Sequence, residues 1–451
     1  MKLNFRSNST KPVYVKFNQK ANAIEGVLKL LMLILPVILF ILIPILIVNI
    51  ADVAASFLES FSFKFTPQSI NTDVLLKSRY ELKKDKYGLT NILLLGSDTR
   101  SYGSGKYLKN TDTIMIVSYN HKEHAVSMIS FPRDMDISNV GVGYWGKINS
   151  VYAQGGFEGI KRTVTAITGL SIQYYAMIDL NGFVNIIDKL GGVDVYVEHS
   201  FIAKYPQDYV YTDVKFDKGW TTLNGSRALA FARARKMSDK SRGSYYIGSV
   251  YEASDYARAR RQQKIIEGII DKAQKQETLQ NPKKIYEILK ALASSIRTSP
   301  ISPEDVQAGL TILIDKGTPS KFSLVLDPVS GFMKGGYQIL VEPAKAYCTD
   351  FARSPTLVKK SGTIKVYNAG NSSFGSKYNS IRARFPYLNF SSGSTSSVTG
   401  SYVSNVGGEK YKEAAKYLAS KTGLKFKEYT EANPDKIPTP SGVKLVVVLG
   451  K

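Results

Sequence analysis

Polarity changes character several times along this chain. Residues 30–51, LLMLILPVILFILIPILIVNIA, carry no charge, and a run of that length suits one pass across about 30 Å of hydrocarbon. Pro36 and Pro44 lie inside it; a membrane helix tolerates them better than a soluble one does. From Asn91 short apolar blocks take over: ILLLG at 92–96, TIMIVSY at 113–119 and AVSMISF at 125–131. They read as buried strands, and the last two flank the polar NHKEH at 120–124, which predicts a hairpin. Residues 157–169 and 181–190 read as helices and VDVYV at 193–197 as a strand. Helical periodicity returns at 224–232, 252–277, 283–296 and 303–315. Beyond a Ser-, Gly- and Pro-flanked stretch around 353–363, IKVYNAG, a helix at 408–421 and VKLVVVLG predict a small second α/β unit. SSGSTSSVTGS at 391–401 reads as a loop. The alternation of helix and strand predicts an α/β fold, a layered α-β-α domain with a central mixed sheet.

Charge orients the apolar run. Lys2, Arg6, Lys11, Lys16, Lys20 and Lys29 precede it against Glu25 alone, whereas residues 51–70 offer only Asp52, Glu59 and Lys64. This asymmetry places the N-terminus in the cytoplasm and the rest outside. Val53-Ala54-Ala55 would serve as a signal-peptide cleavage site, but the run exceeds the usual length of a signal's apolar region, so an anchor is expected. The 60 Lys and Arg against 37 Asp and Glu leave a net charge of +23, which calls for an anionic partner such as lipid headgroups or a phosphate-rich polymer. Export of the basic part excludes nucleic acid. Cys348 is the one cysteine, which excludes an internal disulfide or a cysteine-built zinc site and fits a small buried apolar residue.

Three features point to chemistry. Asp98 follows the strand at 92–96 and Asp112 precedes the one at 113; two carboxylates at one sheet edge suit Mg²⁺, although each would serve equally as a turn cap. Arg233 and Arg235 alternate with alanines in AFARARK. Were this piece extended, both guanidiniums would share a side and suit phosphate oxygens; an exposed basic strand is the plain alternative. In the helix at 252–277, Asp255, Arg258, Gln262, Ile266, Ile269 and Ala273 fall on one stripe. Charges on an inward face need partners or a ligand, which predicts a site at that helix's N-terminal end. Arg260 and Gln263 fall elsewhere on the wheel and are expected in solvent. Pro132-Arg133-Asp134 adds an arginine at a strand end. His121 and His124 have a spacing that metals use, but lack a third histidine nearby and read as an exposed turn.

NILLLGSDTR (91–100), TDTIMIVSYN (111–120), VSMISFPRDMDI (126–137), KINSVYAQGG (147–156), IDLNGFVNIIDKLGGVDVYV (178–197), ALAFARARK (228–236) and DYARARRQQ (255–263) resemble the LytR-CpsA-Psr family. The resemblance implies a cytoplasmic tail at 1–29, a transmembrane helix at 30–51, a connector at 52–87 and a catalytic domain at 88–335. A linker at 336–361 and a LytR-type C-terminal domain at 362–451 would follow. It implies a plasma-membrane enzyme that moves a wall polymer or capsule chain from an undecaprenyl pyrophosphate carrier to peptidoglycan, leaving a phosphodiester. By the same resemblance Asp98 and Asp112 would hold Mg²⁺ (or Mn²⁺). Arg133, Arg233, Arg235, Arg258 and Gln262 would bind pyrophosphate, Asp255 would orient the arginines, and Arg133 and Asp255 are the catalytic candidates. Where the family has an arginine two residues before the second aspartate this chain has Asn110, and Arg100 is expected to compensate. The segment MSDKSRGSYYIGSVYEAS at 237–254 exceeds the family habit and reads as a lid or a solvated insertion. Hydrolysis of the carrier pyrophosphate and a non-catalytic wall-binding or signalling role stay open beside transfer.

Overall fold

The computed structural model describes residues 81–97, 110–207, 210–234, 237–238, 254–273, 296–299, 319–328, 331–335, 337–429 and 437–451, with Asp305, Ala308 and Asp435. The apolar run 30–51, Asp98, Arg100, Arg235, most of the 237–254 segment and nearly all of the expected helices at 283–296 and 303–315 lie outside them. Ile296, expected to end a helix, begins a strand.

The first sheet is built on β1 (Leu89–Ser97), β2 (Thr111–Asn120), β3 (Ala125–Phe131) and β4 (Tyr174–Asp179). Between β3 and β4 runs α1 (Val151–Thr168). After β4 come α2 (Leu180–Leu190), β5 (Val193–Val197), β6 (Phe201–Gln207), β7 (Val210–Phe216), β8 (Gly219–Leu223) and α3 (Gly225–Arg233). Then follow β9 (Met237–Ser238), α4 (Asp255–Ala273), β10 (Ile296–Thr298) and β11 (Ser320–Val325). The six-stranded order is β10-β4-β1-β2-β3-β11. β1–β2 and β2–β3 are antiparallel, whereas β1–β4 and β3–β11 are parallel, so the sheet is mixed.

Alternation along the strands sorts side chains to two faces. Leu93, Leu95, Ile114, Ile116 and Ile129 pack with Ile160, Val164 and Ile167 of α1. Met115, Val117 and Met128 pack on the other side with Ile266 of α4. Helices therefore cover both faces, which makes the expected α-β-α layering. Local chemistry sets the helix ends. Asp179 accepts a hydrogen bond from the Gly182 N–H and Asn224 from the Arg227 N–H, so each satisfies a donor that the first turn leaves open.

Of the stretch 336–361, expected as a linker, residues 337–361 are built largely of helix and strand. After β12 (Met333–Lys334) and β13 (Gln338–Ile339) come α5 (Val341–Arg353) and α6 (Pro355–Lys360). Ala344, Cys348 and Phe351 of α5 belong to the first core, while Leu357 of α6 belongs to the second. That second core fills a sheet ordered β15-β14-β18-β16-β17. It comprises β14 (Thr363–Ala369), α7 (Phe374–Arg384), β15 (Asn389–Ser394), β16 (Tyr402–Ser404), α8 (Lys412–Thr422), β17 (Lys425–Phe426) and β18 (Val446–Gly450). Ser391–Ser394, expected in a loop, is an edge strand parallel to β14: backbone pairing overrides a small, polar composition.

Polar bonds tie the two units. In the turn between β2 and β3, Glu123 accepts from the Thr356 N–H at 3.1 Å and from the Ser354 hydroxyl. The Asn120 amide donates to the Ala352 and Arg353 carbonyls. Asp350 of α5, 1% exposed at its side chain, accepts from Arg384 at 3.2 Å, Tyr417 at 2.5 Å and Tyr387.

Candidate active site

Strand register assembles the site. Ile114 pairs with Phe131 across β2 and β3; continued by two residues, that register sets Asp112 opposite Arg133. Arg133 Nη1 indeed donates to Asp112 Oδ1 at 2.7 Å. At the same edge Ser97, the end of β1, pairs with Thr111 on one side and Asp179 on the other. The N-terminal end of α4 arrives here and supplies Asp255 and Arg258.

Arg133 sits at the centre of a carboxylate ring. Its Nε lies 3.6 Å from both Asp134 Oδ2 and Asp255 Oδ2, beyond hydrogen-bond length, and has no hydrogen-bond partner among the described residues. Arg258 Nη2 stands 3.4 Å from Asp255 Oδ1 and 3.5 Å from the Asp112 carbonyl oxygen. Lys147 Nζ donates to Asp134 Oδ1 at 2.6 Å.

The two neighbouring acids are driven apart in proton affinity. Burial works to raise Asp134, but a hydrogen bond from the Asp255 carboxyl, another from Lys147 and the Arg133 charge hold it down at about 2. Asp255 is pushed up, chiefly by burial and further by Asp134, against the pull of Arg258 and Arg133. Burial also opposes the charge of Arg133, yet its bond to Asp112 and the surrounding carboxylates keep it firmly protonated.

α3 and α4 are joined by side chains that donate to the carbonyls where α3 ends. Arg261, 2% exposed, donates through Nε to Phe231 O at 2.9 Å and also to Ala234 O, and its guanidinium lies over the Phe201 and Phe231 rings. Gln262 Nε2 donates to Ala232 O at 3.4 Å. This docking carries Arg233, the last residue of α3, toward the N-terminal half of α4.

Several expectations are corrected. Arg233 is helical, so the period-two reading of AFARARK fails at its first arginine; the alanine-rich stretch before it favours helix. Gln263, expected in solvent, is 2% exposed and donates to Ser130 Oγ at 2.8 Å and Leu324 O at 2.7 Å. Arg260 keeps 40% side-chain exposure beside Asp327. Ile266 and Ile269 of the expected stripe are only part-buried, while Arg261 and Ile265 of the adjoining row are buried. The reason is that α4 is covered by α3 and β5 as well as by the sheet, so more than one stripe faces protein. Asp255, Arg258, Asp112 and Arg133 are brought together; Asp98, Arg100 and Arg235 lie outside the described residues. Lys147 and Arg261 join the site without having been singled out for it. The i, i+3, i+7 spacing of Arg258, Arg261 and Ile265 was the available signal for Arg261. The histidine pair is accounted for locally: His121 Nε2 lies 2.9 Å from Thr90 Oγ1 and His124 Nδ1 2.9 Å from the Tyr119 hydroxyl. Among the described residues no group of three or more His, Cys, Asp or Glu is placed to hold a metal.

The arrangement sets Arg133, Arg258 and Lys147 among Asp112, Asp134 and Asp255 at one sheet edge. The chain belongs to the LytR_cpsA_psr family, whose model matches residues 61–317. It is similar to the polyisoprenyl-teichoic acid–peptidoglycan teichoic acid transferase TagU of Bacillus subtilis (strain 168), at 30% identity over 217 residues, 48% of this chain and 61% of that one. The TagU of Bacillus mycoides (strain KBAB4) is 32% identical over 209 residues, 46% of this chain and 60% of that one. The matches thus span about three-fifths of these relatives' lengths. Among solved structures, Bacillus subtilis TagV aligns with a TM-score of 0.42 at 24% identity, covering 60% of this chain and 98% of that one.

Proposed function

We propose that this chain transfers a glycopolymer from an undecaprenyl pyrophosphate carrier to a peptidoglycan sugar hydroxyl, forming a phosphodiester. The observation that carries this reading is the pair of part- and fully buried arginines, Arg133 and Arg258, gathered with Asp112, Asp134 and Asp255 at one sheet edge in a chain of this family. The relatives' names specify teichoic acid transfer to peptidoglycan. In the proposed reaction the sugar oxygen bonds to the phosphorus that carries the polymer. The bridging P–O bond breaks, and undecaprenyl phosphate leaves. Arg133, Arg233 and Arg258 neutralise the pyrophosphate, and Arg100, Arg235 and Gln262 complete its binding. Asp255 orients Arg133 and Arg258, and the ionised Asp134 beside it takes the hydroxyl proton.

The residues fit a hard divalent cation. One oxygen of Asp112 is taken by Arg133, and the carboxylate keeps 23% side-chain exposure, leaving its second oxygen as a donor of the kind that Mg²⁺ prefers. Asp112 with Asp98 would hold Mg²⁺, or Mn²⁺, which when bound supplies charge neutralisation at the pyrophosphate. Residues 30–51 anchor the chain in the plasma membrane with the site outside, a reading supported by the cluster of basic residues before them. Residues 362–451 form an appended LytR-type C-terminal domain.

The test uses the full chain in detergent with a synthetic polyprenyl-pyrophosphate disaccharide, Mg²⁺ and peptidoglycan oligomers, with products followed by mass. A phosphodiester conjugate is expected, and Arg133→Gln should slow its formation by about 10²–10³-fold, the usual loss for one preorganised donor. Free sugar phosphate without conjugate would replace transfer by hydrolysis.

A further inference from the structure

We propose that the loop between Ile137 and Ile148 is the acceptor subsite, where the indole of Trp145 stacks on a pyranose ring of the glycan that receives the polymer; this rests on the transfer reading above. Trp145 is 70% exposed and Trp220 76%; a single exposed ring is ordinary, and what distinguishes Trp145 is the loop that holds it. Its exposure is not the by-product of a loose loop. The stem is a short antiparallel ribbon in which the Ile137 N–H donates to Gly146 O, and the Ile148 N–H to Met135 O, both at 2.9 Å. Beyond the stem, the Asn139 amide donates to Ile339 O at 2.7 Å and Arg162 donates to Val142 O at 3.2 Å.

Tyr144, next to the tryptophan, is the loop's anchor. Its hydroxyl fills the space beside Gly155 and Gly159 of α1, where an added Cβ would meet it at 2.0 and 2.9 Å. One ring is therefore wedged into the protein while the next is held out to solvent.

Position and chemistry select the ligand. Two residues after Trp145, Lys147 is bonded to Asp134, which fixes the base of this loop to the carboxylate pair. Residues 138–146, SNVGVGYWG, carry no charge in a chain of net +23. An anionic polymer or lipid headgroup would find no charge partner within this loop. An uncharged amino-sugar ring, with a C–H face for the indole, matches it. The polyanionic donor is left to the arginines on the other side of Asp134.

Trp145 and Trp220 are the chain's two tryptophans, which makes the test direct. Trp220→Phe in the full chain, in neutral detergent, leaves Trp145 as the only indole. Titration with a β-1,4-linked N-acetylglucosamine tetramer should give a saturable change in its emission, and the Trp145→Phe variant should give none. In the transfer assay Trp145→Ala should raise the acceptor KM about tenfold, equivalent to about 1.4 kcal/mol, with donor KM unchanged and activity largely restored by Trp145→Tyr. Silence of Trp145 toward the tetramer while the wild-type chain transfers polymer would overturn the subsite and spare the transfer reading. A response to phosphatidylcholine vesicles but not to the tetramer would overturn it in favour of a membrane contact. Sugar binding by a chain that transfers nothing would keep the subsite and end the transfer reading.

Discussion

Asp350→Ala should uncouple the second sheet from the first. Asp350 stands on α5, whose Cys348 and Phe351 lie in the first core, while its carboxylate partners Arg384, Tyr387 and Tyr417 belong to the second unit. Two tyrosine hydroxyls donate to a charged acceptor, each bond worth about 1.5–3 kcal/mol. Arg384 is 36% exposed at its side chain, regains water when the carboxylate goes and adds little. Removing the carboxylate also removes the cost of burying it, so the net loss is about 3 kcal/mol, concentrated in docking. Both tryptophans lie before residue 221, so in a urea titration their emission follows the first unit while far-UV circular dichroism follows both. The wild-type curves should coincide. In the variant the dichroism should fall first, leaving a plateau in which the emission is still native. Coincident curves displaced by less than about 1 kcal/mol, within the range of an ordinary surface change, would refute the bolt.

Asp134 and the anchor tyrosine give two further expectations. The folded state holds Asp134 near a pKa of about 2, below its unfolded value, so its stabilising contribution is complete above the unfolded pKa and disappears as pH falls through about 2. Asp134→Asn should therefore cost about 1 kcal/mol at pH 7, after screening of a partly exposed group, and much less near pH 2; urea midpoints that differ equally at both would contradict this. Gly155→Ala places a methyl 2.0 Å from the Tyr144 hydroxyl, and should lower stability by about 1–3 kcal/mol as overpacking does. The same substitution should alter the emission of Trp145; an unchanged midpoint and spectrum would show that Tyr144 is no wedge.

Much of the fold was legible because short-range pattern and long-range packing agree. The hairpin of β2 and β3 was visible in two apolar blocks around a polar turn, and VDVYV is β5 as read. Asp255 and Arg258 were found because helical spacing put charge on a stripe that continued as apolar. Gln263 was misread for the same reason: a wheel assigns one inward face, whereas α4 is covered on several sides, and a buried glutamine becomes stable when Ser130 and Leu324 satisfy it. The role of Arg261 was hidden because its acceptors, the carbonyls of α3, lie 27 and 30 residues away in sequence. Strand pairing made β15 out of serine and glycine, which composition alone reads as loop. Lys147 and Asp134 meet only because the 137–148 loop folds back on itself, information carried by backbone bonds rather than by residue type.

Both edges of the central sheet are supplied late. β10 pairs with β4 across more than a hundred residues, and β11 pairs with β3 from nearly two hundred residues further along. As the chain is synthesised, β1 to β4 can find one another while β3, buried at all seven positions in the final fold, still presents an open row of backbone donors and acceptors. Such an edge recruits other strands, and sequence-distant closure is slow. The interval before residue 325 emerges is accordingly the aggregation-sensitive window in this protein's biogenesis, and truncation ahead of β11 would leave it permanently open.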